Sequence, residues 1–240
     1  VNTRFEVIVV GGGHAGIEAA WAAANRLGTP GSVGLISIDA SKIGVMSCNP
    51  AIGGLAKGQL VREIDALGGV MGLIADATGI QFKVLNTSKG SAVHGPRCQS
   101  DKIAYARVAQ TLVRARPEIE IIEGTVEQIL SEDTGGGAQA VTGVEISTPG
   151  GLVELHAPSV VVTTGTFMRG LMHMGPEQTQ GGRFGELAAT GISKSLDELG
   201  FELGRLKTGT PPRLTIDSID WDALPIESGD EIPVAFSELS

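Results

Sequence analysis

Apolar positions change their period several times along the chain, and the changes outline its elements. Residues 6–10 read EVIVV, a short β-branched run that enters Gly11-Gly12-Gly13-His14-Ala15-Gly16 ahead of an alanine-rich stretch, 17–27. That pattern predicts a strand, a glycine turn and a helix, with Gly28 placed to end the helix. Residues 33–38 form a second apolar run. Segment 46–58 holds too many turn formers for a helix start and reads as a shaped loop. In 59–67, Leu60, Val61, Ile64 and Leu67 share one helical face, leaving Arg62, Glu63 and Asp65 outside, with Gly68-Gly69 as the stop. A further helix is expected over 101–116, with Ser100 as cap and Pro117 just past its end. Strand patterns follow at 119–122, 125–129, 140–148, 152–156 and 160–162, broken by Gly135-Gly136-Gly137 and Pro149-Gly150-Gly151. The fold class is therefore α/β, with a Rossmann-like opening.

The opening carries chemistry. Gly11, Gly13 and Gly16 satisfy GxGxxG: the first permits the tight turn, the second lets backbone approach a pyrophosphate, and the third lets helix and strand pack closely. Gly12, His14 and Ala15 complete the loop around the phosphates, which would face the helix N-terminus. Asp39 ends the second strand at about the ~20-residue offset expected for an acid on the ribose hydroxyls. A glycine-rich turn without a ligand is the plain alternative, and the motif alone does not separate FAD from NAD. The strands from 125 to 156 resemble the three-stranded β-meander of two-dinucleotide-fold flavoproteins, and VVVTTGT at 160–166 resembles their return to the first sheet. That resemblance favours FAD. Val126 falls where such folds give main-chain hydrogen bonds to the adenine; its side chain equally suits core packing, and the two are compatible. Gln180, just before Gly181-Gly182-Arg183, lies in a segment without apolar period, a loop whose backbone is placed to touch the cofactor.

Composition narrows the class. The 240 residues are 42% hydrophobic, enough for a substantial core, and the 35 glycines fall between apolar runs rather than in a repeat. A formal net charge of −9 gives no overall footprint for nucleic acid, so any RNA contact is local. No apolar run approaches the ~18 residues of a membrane span, and no signal-peptide core opens the chain, so no membrane association and a cytoplasmic location are expected. Cys48 and Cys98 have no metal-ligand spacing; free thiols and no metal are expected.

The segments SCNPAIGGLAKGQLVREIDALGG, GIQFKVLNTSKGSAV, TTGTF, QGGR and GRLKTGTPPR, in order along the chain, resemble the GidA/MnmG family of tRNA uridine 5-carboxymethylaminomethyl modification enzymes. The related folate-dependent tRNA uracil methyltransferases share the glycine fingerprint, but the SCNPAIGG run does not look like theirs. The resemblance implies an FAD enzyme acting on the wobble uridine of tRNA, with NADH as reductant, methylenetetrahydrofolate as one-carbon donor and glycine or ammonium as amine. It also implies a homodimer working with a tRNA-modifying GTPase subunit (MnmE-like). Family members continue well past this point, so the chain is expected to be an N-terminal fragment: an FAD fold with its meander over 1–166, then the start of an inserted second domain over 167–240. Segment 217–240 is acidic, proline-interrupted and aperiodic, and is expected to be ordered only by sequence beyond it.

Carbon 5 of uracil is a poor nucleophile until a group adds at carbon 6 or polarises the ring, so a thiolate is a sensible helper. Cys48 is the candidate, by its match to the family's SCNP segment; on residues alone, a small buried hydrophobe is the commoner fate of a free cysteine. A helix N-terminus or Lys57 nearby would lower its pKa. Cys98, where the family usually has a small residue, reads as filler, and His94 as a packing residue. Arg97 suits a phosphate of flavin or RNA, or a surface ion pair. Arg205, Lys207 and Arg213 flank Thr208-Gly209-Thr210-Pro211-Pro212 and form the best local basic patch, for substrate or phosphate, or a solvated charged strand. A generic FAD-dependent small-molecule oxidoreductase and a non-catalytic flavin-dependent assembly module are the rival functions.

Overall fold

The computed structural model describes residues 2–240; Val1 lies outside the described residues. The elements β1 (Val7–Val10), α1 (His14–Leu27) and β2 (Val33–Ser37) are followed by β3 (Ala51–Gly53), α2 (Lys57–Ala66), α3 (Met71–Thr78), β4 (Gly79–Leu85) and β5 (Gly95–Ser100). After α4 (Lys102–Arg114) come β6 (Ile119–Glu123), β7 (Thr125–Gly135), β8 (Ala138–Thr148), β9 (Gly151–His156), β10 (Val160–Val162), β11 (Leu171–Met174), β12 (Glu177–Gln180) and α5 (Gly191–Glu198). Contacts group them into two units, Val1–Gly44 with Arg107–Arg205, and Val45–Ala106 with Leu206–Ser240.

In the first unit, β10, β1, β2 and β6 form a parallel sheet in that order. Its central strands are mostly apolar because parallel strands are covered on both faces: every residue of β2 is buried. Val10 pairs with Val162 on one side and Ile36 on the other, so the end of β1, where the glycine turn begins, is fixed from both flanks. Helix α1 starts at His14, three residues before the apolar period, and ends on Gly28 in the left-handed region at φ 62°. The meander β7-β8-β9 is antiparallel, and the turn between β7 and β8 falls on Gly136 and Gly137, both at positive φ. Phe5, Ile8, Ile36, Ile122, Val126, Val144, Leu155 and Ile192 share one buried cluster, which joins sheet, meander and α5.

The grouping departs from the expected boundary at 166/167. Residues after 166 stay with the first unit because α5 closes the outer edge of β7: the Ile129 N–H donates to the buried Ser195 Oγ at 2.9 Å, and a Cβ on Gly191 would lie 2.7 Å from the Glu127 main chain. Segment 45–106 instead pairs within itself.

In the second unit, β3, β5 and β4 form an antiparallel sheet, with Ile52 and Phe82 both opposite Cys98. The expected loop over 46–58 thus contains a strand, too short at three residues to show a period. The expected face of α2 is only partly right. Val61 is buried at 4% exposure, whereas Leu60 and Leu67 are 56% and 87% exposed. Part of the polar face is engaged instead, because Arg62 Nη1 donates to the carbonyls of Ala235 and Phe236 and the Glu238 N–H donates to Asp65 at 3.1 Å. The cap of α4 is Asp101 rather than Ser100: its Oδ1 accepts from the N–H groups of Ile103 and Ala104 at 2.9 and 3.0 Å, while Ser100 completes β5.

Segment 217–240, expected to lack its own order, is tied to this unit by side chains. Asp76 accepts from the Phe236 and Ser237 N–H groups at 2.8 and 2.9 Å, and Asp230 accepts from the Val84 N–H at 2.8 Å. Phe236 is 1% exposed. Order here comes from carboxylates presented by α3 and by the segment itself, which leave no hydrophobic period to read.

Candidate functional site

The glycine turn is closed toward the sheet and open outward. Gly11 sits at φ +110°, and a Cβ there would lie 2.4 Å from the Thr163 carbonyl. A Cβ on Gly16 would lie 1.7 Å from the Gly11 carbonyl oxygen, so helix and strand approach as only glycine allows. Thr163 Oγ1 lies 2.8 Å from the Val10 carbonyl and 3.2 Å from that of Gly11, which seals the inner side. At Gly13 the situation reverses: a Cβ there would meet nothing within 4 Å. Gly13 is the N-cap of α1 and has no side chain to satisfy the first amides, and the first turn carries no acidic residue. Open space, main-chain N–H groups without a side-chain cap and the positive end of the helix dipole fit a pyrophosphate.

The partners expected of that turn lie in the same unit. Asp39 lies two residues past the end of β2 and accepts from the Ser41 N–H at 2.8 Å; hydrogen bonding from Ser41, hydroxyl first and main chain second, holds its carboxyl below the usual range. An ionised acid in that position is an acceptor for ribose hydroxyls. His14 is half-buried, and its pKa is lowered first by burial and then by the Arg183 guanidinium, which favours the neutral ring. Gly12 is buried against Ile43 and Ser37, while Ala15 is exposed on the first turn of α1. Val126 is 4% exposed, so its side chain is core, leaving main chain as its only route to a ligand. Gln180 is exposed at the end of β12. Arg183 is the residue that sequence reasoning passed over. It was visible only as the last letter of QGGR, and its proximity to His14 depends on a long-range fold.

The second unit gathers other candidates. Cys48 is exposed, which excludes the buried-hydrophobe reading, and its thiol donates to the Gly209 carbonyl at 3.2 Å. Arg213 Nη2 donates to the Cys48 carbonyl at 3.1 Å, and its Nη1 to that of Pro211 at 3.3 Å. The SCNP and TGTPPR segments, far apart in sequence, thus meet through the thiol and a guanidinium. Of the other cations near that segment, Arg205 groups with the first unit and donates to the Arg169 carbonyl at 3.0 Å, and Lys207 is exposed in the second. Arg97, on β5, is half-buried and its Nη1 donates to Gln99 Oε1 at 3.0 Å. Cys98 is fully buried, its Sγ 3.4 Å from the Ala75 carbonyl, and burial pushes its thiol pKa up, so it is inert core. His94 Nε2 lies 3.2 Å from the Lys89 carbonyl.

The family described as "Glucose inhibited division protein A" matches residues 6–240. The chain belongs to the GidA family. Within it, the chain is 49% identical over 236 residues to the tRNA uridine 5-carboxymethylaminomethyl modification enzyme MnmG of Granulibacter bethesdensis, covering 98% of this chain and 36% of that protein. It is 50% identical over 234 residues to the protein of the same name from Nitratiruptor, with the same coverage. The solved structure of Aquifex aeolicus GidA superposes with a TM-score of 0.89 at 46% identity, covering 99% of this chain and 38% of that one. The chain therefore spans about a third of the length of its GidA relatives. Among the described residues, no helix is long and apolar enough to cross a membrane.

Proposed function

We propose that this chain is the flavin-nucleotide-binding part of an enzyme that builds the 5-carboxymethylaminomethyl group on the wobble uridine of tRNA. The observation that carries the reading is the meeting of exposed Cys48 with the TGTPPR segment through Gly209 and Arg213. Relatives about half identical bear that activity in their names, which supports the assignment.

FAD is the proposed occupant of the glycine turn, and when bound it supplies redox chemistry that NADH would sustain and that a folate one-carbon unit would enter. The residues of this chain bind and position. The Gly11 to Gly16 turn and the N-terminus of α1 hold the pyrophosphate, Asp39 the ribose, and the Val126 main chain the adenine. Cys48 is the helper thiol for activating the uracil ring. Arg97, Lys207 and Arg213 are the local cations for substrate phosphates in a chain that is otherwise acidic, and Arg205 fills the same role from its own unit. A homodimer and a GTPase partner complete the proposed assembly, and the cytoplasm is its proposed location.

Mass spectrometry of tRNA nucleosides tests the reading. A strain lacking the gene should lose the modified wobble uridine, the full-length protein should restore it, and Cys48→Ser should not, with flavin and RNA binding intact. Persistence of the nucleoside in the deletion strain would favour a generic flavin oxidoreductase, and restoration by Cys48→Ser would favour an assembly module that does not use the thiol.

A further inference from the structure

The loop after β12 reaches the glycine turn through a short chain of contacts. Thr163 closes the inner side of the turn at Gly11 and Gly16; three residues on, Thr166 Oγ1 donates to the Gly182 carbonyl at 2.6 Å. A Cβ on Gly182 would lie 2.3 Å from the Phe167 ring, so this loop lies directly on the strand-to-turn return of the first sheet. Arg183 follows. Its guanidinium lies over the Phe167 ring, 5.4 Å from the centroid, and Nη1 pairs with Glu186 at 3.1 Å. The side chain is 21% exposed, and Nε is buried without a hydrogen-bond acceptor among the described residues.

That arrangement is costly unless something answers the charge. One carboxylate satisfies one nitrogen, and an aromatic face orients the plane without accepting a hydrogen bond. A buried donor left unpaired costs free energy that a surface loop of an ordinary protein would avoid by turning the side chain to water. Here the loop is instead pinned by Gly182 and Thr166. The charge also reaches the first residue of α1, where it helps keep His14 neutral. A cation at this point adds to the helix dipole at the place where Gly13 leaves open space.

We propose that Arg183 is a phosphate-binding residue of the dinucleotide site, contributing its guanidinium to the pyrophosphate of the cofactor alongside the main-chain donors of the glycine turn. Phe167 and Glu186 are its positioning residues. The inference rests on the reading of the turn as a flavin-nucleotide site, and it adds a side-chain contact from a loop more than 160 residues downstream in sequence.

ADP separates the phosphate half of the cofactor from the flavin half, so the test is the affinity of the full-length apoprotein for ADP and for FAD, by calorimetry and flavin fluorescence. Arg183→Gln is expected to weaken both by about tenfold, as for loss of a charge-assisted hydrogen bond, and Arg183→Lys by less, since it keeps the charge but not the fork. Unchanged ADP affinity in Arg183→Gln overturns the proposal, including the case in which FAD binding alone falls, which would place the arginine at the flavin. If wild type binds neither ligand, the nucleotide-site reading fails with it. Should Arg183→Gln not fold, Phe167→Leu decides: it removes the platform, and ADP affinity should fall about threefold with the circular dichroism spectrum retained, whereas an unchanged value overturns the proposal.

Discussion

Two parts of this chain hold a functional loop in place by opposite means. The glycine turn of the first unit is fixed by close approach: main chain against main chain, with the Gly16 Cα facing the Gly11 carbonyl and Thr163 sealing the side. A side chain on Gly11 or Gly16 has no room there. In the second unit the thiol loop and segment 235–240 are fixed by side chains reaching to main chain: Arg213 to the Cys48 carbonyl, Arg62 to the carbonyls of Ala235 and Phe236, Asp76 to the Phe236 and Ser237 N–H groups. The first device tolerates almost no substitution at its contact points, and its distant partner Thr163 is carried to the turn by the pairing of β1 with β10. The second spreads its hold over polar bonds that are individually modest, and it depends on residues more than 150 positions apart.

Substitution should expose the contrast. Gly16→Ala is expected to have the largest effect. Alanine normally favours a helix by about 1 kcal/mol, but here its Cβ would meet the Gly11 carbonyl at 1.7 Å, and a loss of about 3 kcal/mol or more in denaturant unfolding should result, with nucleotide binding abolished. Asp76→Ala should come second: it removes the acceptor of the Phe236 and Ser237 N–H groups, and hydrogen exchange at those amides should accelerate by roughly 2 kcal/mol of local opening while amides of β1 and β2 stay protected. Equal acceleration in both units would break the comparison.

Smaller effects sharpen it. Gly13→Ala, in the same motif as Gly16, should change stability by less than about 0.5 kcal/mol, because nothing lies within 4 Å of the added carbon; only nucleotide affinity should fall. Cys48→Ser, at an exposed position, should likewise leave the unfolding midpoint within about 0.5 kcal/mol of wild type.

The pH response should be the slightest. His14 has a lowered pKa in the folded chain, so between that value and the ordinary 6.5 the unfolded chain binds the extra proton. The stability tied to the neutral ring is therefore complete above 6.5 and is lost as pH falls through the window below it. His14→Asn should flatten that part of a urea-midpoint profile. Arg183→Gln should narrow the window by moving the His14 titration, followed by proton NMR, back toward 6.5.

The fold of the first unit was legible because its signals are local. The EVIVV run, the glycine spacing, Gly28 and the turns of the meander each act within a few residues, and all point to the same architecture. The glycine turn from Gly11 to Gly16 and the acid Asp39 just past β2 were legible for the same reason. The second unit was poorly legible. Strand β3 is three residues long, the strand pattern of β5 is broken by Pro96 and Arg97, and the apolar residues in and just after α2 mislead, since Leu60 and Leu67 are exposed and Arg62 is engaged. Arg183 was missed because nothing in QGGR itself announces a neighbour near residue 14.

Sequence by itself determined the α/β class, the glycine turn, the stop of α1 and the meander, because hydrophobic period and glycine spacing act through bonds and neighbours a few residues apart. It also carried the family, through long collinear segments. Only the tertiary structure decided where the units divide, that Cys48 is exposed against Gly209 and Arg213 while Cys98 is buried, and that segment 235–240 docks by its backbone. Those outcomes turn on hydrogen bonds between residues far apart in the chain, whose partners no local pattern specifies.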